Sequence, residues 1–335
     1  MQIIRRRAYA RAGLVGNPSD GYHGKTLSVI VRNFSAECIL YEWEDVELVW
    51  TEQDQSRFGS VQDLVRDVKL HGYYGGMRLV KATVKKFVEY CTRHDLPLHD
   101  RNFSIRYQSA IPRQVGLAGS SAIIVATLRC LCEFYGVTIP REVQPSLALS
   151  VEVEELAITA GLQDRVIQVY EGLVYMDFGP GRMHEEFGYS CGAYEPLDPA
   201  VLPPLYLAYS ADASEPTEVF HNDIRGRFTR GDLAVVGAMS RCADLANEAR
   251  QALLENDRER FGRCINENFK QRRSIYKLPA RQVEMVEVAR RCGASAHFAG
   301  SGGAIIGTYG DAGIFASLEK QLGSAGCRVL KPVII

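Results

Sequence analysis

The sequence has little of what nucleic-acid-binding and membrane proteins require. Its 335 residues contain 39 Lys and Arg against 40 Asp and Glu, a formal net charge of -1, so no overall basic field attracts a polyanion. The longest apolar stretches, such as residues 122–128, are far shorter than the roughly 20 residues of a membrane-spanning helix. Three arginines at residues 5–7 stand where a signal peptide has its apolar centre. We therefore expect no nucleic-acid partner, no membrane span and a cytoplasmic protein.

The nine cysteines also lack a pattern. They are odd in number and include no CxxC pair and no His partner at zinc spacing, which argues against a disulfide framework or a zinc ribbon. Cys130 and Cys132 lie in an apolar run, where a free thiol behaves as a small hydrophobe in a reducing compartment. The sequence has no repeat of fixed period and no low-complexity tract, so solenoid architectures are set aside.

What the sequence does contain is an alternation of strand and helix patterns in a composition that is 46% hydrophobic and 24% charged, typical of a globular protein with room for two domains. Periodicity predicts strands at residues 27–31, 46–50, 103–107, 172–178, 205–210, 295–299, 304–308 and 327–333. It predicts helices at residues 61–94 with a break at Gly75-Gly76, 120–135, 143–158, 164–170, 233–254, 258–276, 279–292 and 313–322. The proline-bearing stretch 195–204 looks like a linker, so we expect two α+β domains, at residues 1–195 and 196–335.

The most informative segment is a glycine- and serine-rich turn that leads into the apolar helix at residues 120–135. Such a turn lets backbone amides approach a ligand closely, and a helix start adds unpaired N–H donors and a partial positive charge. A second serine hydroxyl can coordinate Mg²⁺ between phosphates. The segment therefore predicts a phosphate site, with a plain capped helix as the alternative. Its candidate residues are Pro112, Gly116, Leu117, Ala118, Gly119, Ser120, Ser121 and Ala122.

Two further segments carry candidate chemistry. A second glycine-rich turn, at residues 299–304, contains Gly300, Ser301, Gly302 and Gly303, although a turn between two strands needs no ligand. Asp164 follows a helix that carries Glu152, Glu154 and Glu155. Phosphoryl transfer uses a carboxylate near the attacking hydroxyl together with a divalent metal. The alternative is a solvated acidic helix face followed by an Asp cap.

Taken in order, residues 10–20, 116–122, 161–164 and 299–303 resemble the GHMP small-molecule kinases, which include galactokinases, homoserine kinases and mevalonate kinases. Residues 16–22, 72–76 and 160–166 are most similar to those of the glucuronokinases, which phosphorylate the anomeric hydroxyl of D-glucuronate. The resemblance implies an α+β, two-domain GHMP kinase fold. Its N-terminal α/β domain is of a ribosomal-protein type, and its C-terminal α+β domain is ferredoxin-like.

The resemblance also implies roles for particular residues. Asp164 matches the catalytic aspartate, which accepts or orients the proton of the substrate hydroxyl. Arg11 matches a cation that stabilises that carboxylate and the transferring group. ATP is implied as the phosphoryl donor, bound by the turn at residues 112–122 and by Gly300, Ser301 and Gly302. Mg²⁺ is implied at Ser121 and Glu152, with Glu154 and Glu155 as alternatives to Glu152.

The implied substrate is a small sugar or uronic acid held by Asn17, Asp20, Gly21, Tyr22 and Gly303. Galactokinases carry a Glu-His pair where this sequence has Asn17-Pro18. A uronate brings a negative charge that needs a cationic partner, for which Arg165 is the first candidate, followed by Lys25 and Arg113. The expected activity is an ATP-dependent glucuronate 1-kinase. The alternatives are a GHMP kinase for galacturonate, galactose, arabinose or a heptose, or a non-catalytic sugar-binding regulator. The protein is expected to be a monomer or a homodimer.

Overall fold

A computed structural model describes residues 3–51, 54–71, 77–211 and 218–335. The first half of the chain forms a sheet covered by helices. Its strands are β1 (Ile3–Val15), β2 (Lys25–Trp43), β3 (Val46–Thr51), β4 (Asp54–Phe58), β5 (Asn102–Ser109), β6 (Leu173–Asp177), β7 (His184–Glu186), β8 (Tyr189–Cys191) and β9 (Ala193–Leu197). Its helices are α1 (Val61–His71), α2 (Arg78–Arg93), α3 (Gly119–Tyr135), α4 (Val143–Ser150) and α5 (Gln163–Tyr170).

The main sheet has seven strands in the order β4-β3-β5-β2-β6-β9, with β1 paired to β2 beside this path. Strand β2 is long enough, at 19 residues, to pair with β6 near its start and with β5 near its end. Helix α3 packs on β1 and β2, and twelve of its 17 residues are buried. Its nearly continuous apolar sequence is explained by this central position in the core.

The second half forms a smaller antiparallel sheet. Its order is β11-β12-β10-β13, built from β10 (Leu205–Ser210), β11 (His297–Phe298), β12 (Ala304–Thr308) and β13 (Cys327–Leu330). The helices are α6 (Glu218–Thr229), α7 (Leu233–Leu254), α8 (Arg258–Ile275), α9 (Ala280–Arg291) and α10 (Ala312–Ser324). Asp232 and Asp257 cap α7 and α8 by accepting backbone N–H groups.

Most of the predicted elements are confirmed, and two interpretations need correction. The helix predicted at residues 143–158 is shorter, because α4 runs into a π-helical turn at Val151–Glu155. Ala157 then adopts a left-handed φ of 53°, and the N–H of Ile158 closes the end by donating to the carbonyl of Glu152 at 2.8 Å. Helix α6 and the strands β1, β4, β7, β8 and β9 were not predicted as elements. The break at Gly75-Gly76 lies outside the described residues.

The stretch at residues 195–204 is only partly a linker. Its first residues belong to β9, which pairs with β6 in the main sheet, and Asp198 caps a short 3₁₀ turn at Pro199–Val201. The hydrophobic core continues across this stretch, since Leu27 and Leu207 belong to one cluster of buried side chains. The two sheets therefore share a core, and a domain boundary at residue 195 stays a prediction. In the described part of the chain, no helix is both long enough and apolar enough to cross a membrane.

Candidate active site

A cavity of about 1080 Å³ is lined by residues of both halves, a volume suited to a small ligand and its partner. Its walls come from β1, the turn at Ser19–Tyr22, the loop before α3, the start of α5, helix α6 and the loop between β11 and β12. The four segments that carry the family resemblance, at residues 10–20, 116–122, 161–164 and 299–303, therefore all contribute to one cavity. The predicted residues that line it are Arg11, Asn17, Asp20, Gly21, Tyr22, Pro112, Gly116, Leu117, Ala118, Gly119, Ser120, Ser121, Glu152, Asp164, Arg165 and Ser301.

Arg11 and Asp164 form the central pair of this cavity. The Nε of Arg11 donates to the Asp164 Oδ1 at 2.6 Å, and its Nη1 donates to the carbonyls of Gly116 at 2.6 Å and Ala299 at 2.9 Å. Arg11 is 4% exposed, whereas the side chain of Asp164 retains 21% exposure in the first turn of α5, where the helix dipole favours a carboxylate. The pair thus presents an oriented carboxylate to the cavity and holds its cation behind it.

Arg165 lines the cavity, and the hydrogen bonds of its guanidinium group go to acceptors of the protein itself. Its Nη2 is hydrogen-bonded to Glu152, and its Nη1 donates to the carbonyl of Gly161 at 2.8 Å. Burial and the nearby Arg11 lower the pKa of Arg165 to about 9, so it stays cationic at neutral pH. These contacts place Arg165 between Glu152 and Asp164, whose Oδ2 lies 3.6 Å from its Nη1, and its role as a substrate-binding cation stays a prediction.

The three glutamates before α5 have separate environments. Glu152 is 2% exposed and lines the cavity, while Glu155 and Glu154 pair with Lys85 and Lys86, respectively, at 2.5 Å. Glu152 is therefore the one of the three that faces the site. This arrangement supports its choice as a metal ligand on sequence grounds, although the residue's role stays a prediction.

The loop before α3 has the backbone of a phosphate site. Gly116 and Ala118 adopt left-handed φ values of 70° and 62°, and α3 begins at Gly119 with no side-chain cap, so its first N–H groups remain available to a ligand. The Ser121 hydroxyl donates to the carbonyl of Ala118 at 3.2 Å, which leaves its oxygen lone pairs for a cation. Ala122, predicted with this loop, is fully buried inside α3 and does not line the cavity.

The second glycine-rich loop, at residues 299–303, has a different position. Ser301 lines the cavity, whereas Gly300, Gly302 and Gly303 do not. A Cβ on Gly300 would lie only 2.1 Å from the carbonyl oxygen of Gly116, so the two loops are packed backbone against backbone. The structure thus supports a ligand contact for Ser301, whereas the three glycines predicted beside it lie behind the cavity wall.

The turn after β1 supplies polar groups for a second ligand. Asp20 accepts the backbone N–H of Gln163 at 3.4 Å and lies near Asp164. Burial and the Asp164 charge raise the pKa of Asp20 to about 6, against the opposing effects of the Gln163 N–H and Arg11. A cavity carboxyl group whose ionised form is disfavoured by its surroundings is typical of a functional site.

Two buried residues of α8, absent from the sequence predictions, hold this turn in place. The Asn268 amide donates to the carbonyl of Asn17 at 2.8 Å and accepts the N–H of Gly16. Arg272 donates from Nη1 to Asn17 Oδ1 at 3.1 Å and to the carbonyl of Gly300 at 2.7 Å, and from Nη2 to that of Ser301 at 3.0 Å. Arg272 thereby ties the turn to the second loop. The sequence contained a signal for them, because both residues fall at the helical spacing of the apolar side chains that α8 buries.

The residues present fit a magnesium ion bound together with phosphates. Ser121 and Glu152 offer hydroxyl and carboxylate oxygens to the same cavity, and Mg²⁺ is usually held by one or two carboxylates plus substrate phosphates. Within the described ranges, no group of three or more His, Cys, Asp and Glu side chains could form a metal cage. Phosphate oxygens would therefore complete the coordination.

Comparison with known families agrees with this arrangement. The family model described as GHMP kinases N terminal domain matches residues 78–172, and the one described as GHMP kinases C terminal matches residues 249–324. The chain belongs to the GHMP kinases and is a phosphotransferase with an alcohol group as acceptor. The family predicted from the four sequence segments is thereby confirmed.

Individual relatives sharpen this assignment. The chain is 43% identical over 317 residues to Glucuronokinase 1 of Arabidopsis thaliana, covering 90% of this chain and 84% of that protein. It is 45% identical over 312 residues to Probable glucuronokinase 2 of the same organism, covering 91% and 84%. The fold matches the crystal structure of Lactococcus lactis galactokinase complexed with galactose at a TM-score of 0.78 and 15% identity, covering 99% of this chain and 94% of that one. The predicted fold and the greater similarity to glucuronokinases are confirmed.

Proposed function

We propose that this protein is a sugar kinase that transfers the terminal phosphoryl group of ATP to the anomeric hydroxyl of D-glucuronate, giving 1-phosphoglucuronate and ADP. The observation that carries the proposal is the Arg11–Asp164 pair, whose 2.6 Å hydrogen bond holds a partly exposed carboxylate on a cavity that is also lined by the first glycine-rich loop. The 43% and 45% identities to two glucuronokinases support the choice of sugar.

In this mechanism, the sugar hydroxyl lies against Asp164, which orients it and takes its proton as the oxygen attacks the γ-phosphorus. The bond from phosphorus to the bridging oxygen of ADP breaks, and ADP keeps that electron pair. Backbone N–H groups at Gly119 and Ser120 bind the phosphates. Mg²⁺, held by Ser121 and Glu152, would offset negative charge on the phosphates when it is bound. Arg11 keeps the Asp164 carboxylate oriented through its 2.6 Å hydrogen bond.

Asp164→Asn tests the role of the carboxylate. The amide keeps the shape and can still accept from Arg11, but it cannot take a proton, so we expect kcat to fall about 1000-fold while ATP binding, measured by calorimetry, stays nearly unchanged. Asp244→Asn is the matched control, because Asp244 is exposed on α7 and is not part of the cavity wall. An unchanged kcat in Asp164→Asn would remove this residue from the mechanism.

A sugar panel tests the substrate. ADP release is measured with D-glucuronate, galacturonate, galactose, arabinose and a heptose, and the product with glucuronate is checked for phosphate at the anomeric carbon. We expect the highest kcat/KM with glucuronate. Turnover of a neutral sugar with none of any uronic acid would contradict the proposed substrate and favour another kinase of the family, whereas no turnover with any sugar would favour a binding protein.

A further inference from the structure

The cavity wall has more arginines than carboxylates, and the proposed transfer step assigns no role to several of these arginines. The arginines that line it are Arg11, Arg78, Arg113, Arg165 and Arg225, against the carboxylates of Asp20, Glu152 and Asp164. Arg11 and Arg165 already donate to protein acceptors inside the wall. Among the described residues, no side-chain hydrogen bond or ion pair engages Arg78, Arg113 or Arg225, so these three are the candidates for contact with a ligand.

These three arginines come from different parts of the wall. Arg113 belongs to the first glycine-rich loop, close to Tyr107, and Arg78 is the first residue of α2. Arg225 comes from α6, the helix that packs on the turn at Ser19–Tyr22. Within this set, Arg225 is thus the arginine on the side of the predicted sugar site.

Packing of α6 fixes the place of Arg225. Phe228, one turn further along the helix, packs its ring on that of Tyr22 with centroids 4.9 Å apart. The Nη2 of Arg225 lies 3.9 Å from the point where Gly21 would carry a Cβ. Arg225 is exposed, and within the described residues its side chain makes no ion pair and no hydrogen bond. The helix therefore presents an uncommitted cation beside the turn that carries Asp20.

We propose that Arg225 binds the carboxylate of the substrate and selects uronic acids over neutral sugars, an inference that rests on the proposed function. A uronic acid carries its carboxylate on the other side of the ring oxygen from the reacting anomeric carbon. With the anomeric hydroxyl at Asp164, the carboxylate lies at the sugar end of the cavity, where Asp20 and Asp164 would repel it. A guanidinium there offsets this repulsion and matches the two carboxylate oxygens with two parallel N–H donors.

Arg225→Met tests the proposal, because it keeps an unbranched apolar stem and removes the charged guanidinium group. Arg230→Met is the matched control, since Arg230 is an exposed arginine just beyond the same helix and does not line the cavity. Each variant and the wild type are assayed for kcat/KM with D-glucuronate and with D-glucuronamide, in which a neutral amide replaces the carboxylate at the same carbon. Calorimetry gives the Kd of glucuronate for each protein.

We expect Arg225→Met to lower kcat/KM for glucuronate by about 30-fold, the size expected when one partner of a close charge pair is removed. The value for glucuronamide should change little, Arg225→Lys should recover part of the loss, and Arg230→Met should behave as the wild type does. Equal losses on glucuronate and glucuronamide, or no loss on either, would overturn the proposal.

The two proposals fail differently. If the wild type phosphorylates glucuronate and Arg225→Met does so equally well, the role of Arg225 is wrong and the proposed function stands. If the wild type binds glucuronate without phosphorylating it, the proposed function is wrong. The calorimetric comparison of wild type and Arg225→Met then supports or overturns the role of Arg225. If the wild type neither binds nor phosphorylates any uronic acid, both are wrong.

Discussion

The two glycine-rich loops look alike in sequence and differ in what they face. The first, at residues 112–121, lines the cavity along most of its length and leads into the uncapped start of α3. The second, at residues 299–303, contributes Ser301 to the wall and otherwise supports it, because Arg272 binds its carbonyls and Gly116 packs on Gly300. Gly119 at the end of the first loop therefore leaves space beside the helix start, whereas Gly116 and Gly300 allow the two loops to pack backbone against backbone.

The same division extends to the residues around each loop. Arg11, Asp20 and Asp164 present charge to the cavity, and their substitution should change turnover more than the free energy of unfolding. Arg272 and Asn268 lie behind the wall and are buried, and their substitution should change the free energy of unfolding first. Four substitutions test this comparison through urea denaturation.

Arg272→Met should have the largest effect, a loss of about 3 kcal/mol in the free energy of unfolding, because three buried acceptors lose their donor. The control is Arg273→Met, since Arg273 is exposed and its ion pair within the described residues is a surface pair with Glu287, which is worth about 1 kcal/mol or less. If the two variants lost similar amounts of unfolding free energy, the hydrogen bonds of Arg272 would not stabilise the wall as inferred.

Gly300→Ala should cost about 2 kcal/mol, as expected for a side chain forced into a packed site. The added Cβ would lie 2.1 Å from the Gly116 carbonyl and 2.6 Å from Arg11 Nη1, so the loop has to shift. Because this shift disturbs Arg11, kcat should fall as well, and kinase assays on the folded variant measure this. Wild-type stability together with wild-type kcat would contradict the close packing of the two loops.

Asp20→Asn should raise the free energy of unfolding at pH 8 by about 1 kcal/mol, below the roughly 3 kcal/mol that a shift of two pKa units permits. Burial and the Asp164 charge raise the pKa of Asp20 from an ordinary 3.8 to about 6 in the folded protein, so its ionisation disfavours folding. The gain should be full above pH 6, shrink as the pH falls from 6 to 4, and vanish below that range. The variant should also bind sugar more weakly, since it loses a carboxylate acceptor. A gain that does not change with pH would contradict the raised pKa.

Gly119→Ala should change the free energy of unfolding by less than about 0.5 kcal/mol. The nearest atom that a Cβ would meet outside the helix is the Ile111 Cγ2 at 3.7 Å, an ordinary contact, and alanine favours the helix. ATP affinity should fall, because the methyl group enters the space beside the phosphate-binding N–H groups. A stability loss as large as that of Gly300→Ala would contradict the inference that Gly119, unlike Gly300, has open space beside it.

Sequence reasoning succeeded where the signal is local. The glycine run before an apolar helix predicted the first loop and α3, because backbone freedom and helix initiation are set by neighbouring residues. Asp164 and Arg11 came from the resemblance to a family, and the structure brings them to 2.6 Å although 153 positions separate them. Composition and periodicity do not encode such a contact.

Other features needed coordinates. The partners of Arg165 could not be read from its place beside Asp164, because neighbouring residues on a helix point about 100° apart, and its Nη2 is bonded to Glu152. Arg225 lies in a helix whose sequence has a weak apolar pattern, so no element was predicted there. Arg272 is one of several arginines in α8, and only its place in the buried stripe distinguishes it from exposed Arg273.

The three acceptors of Arg11 have a consequence for how ligands enter and leave. They belong to Asp164, Gly116 and Ala299, which lie on three separate stretches of chain from both halves of the molecule. A hinge rotation that parted the two sheets would break the bond to the Ala299 carbonyl, whereas the contact with Asp164 would persist, because Arg11 and Asp164 both belong to the first half. Such a rotation would therefore let ligands enter and leave at the cost of one hydrogen bond of Arg11, with the Asp164 carboxylate still in its orientation.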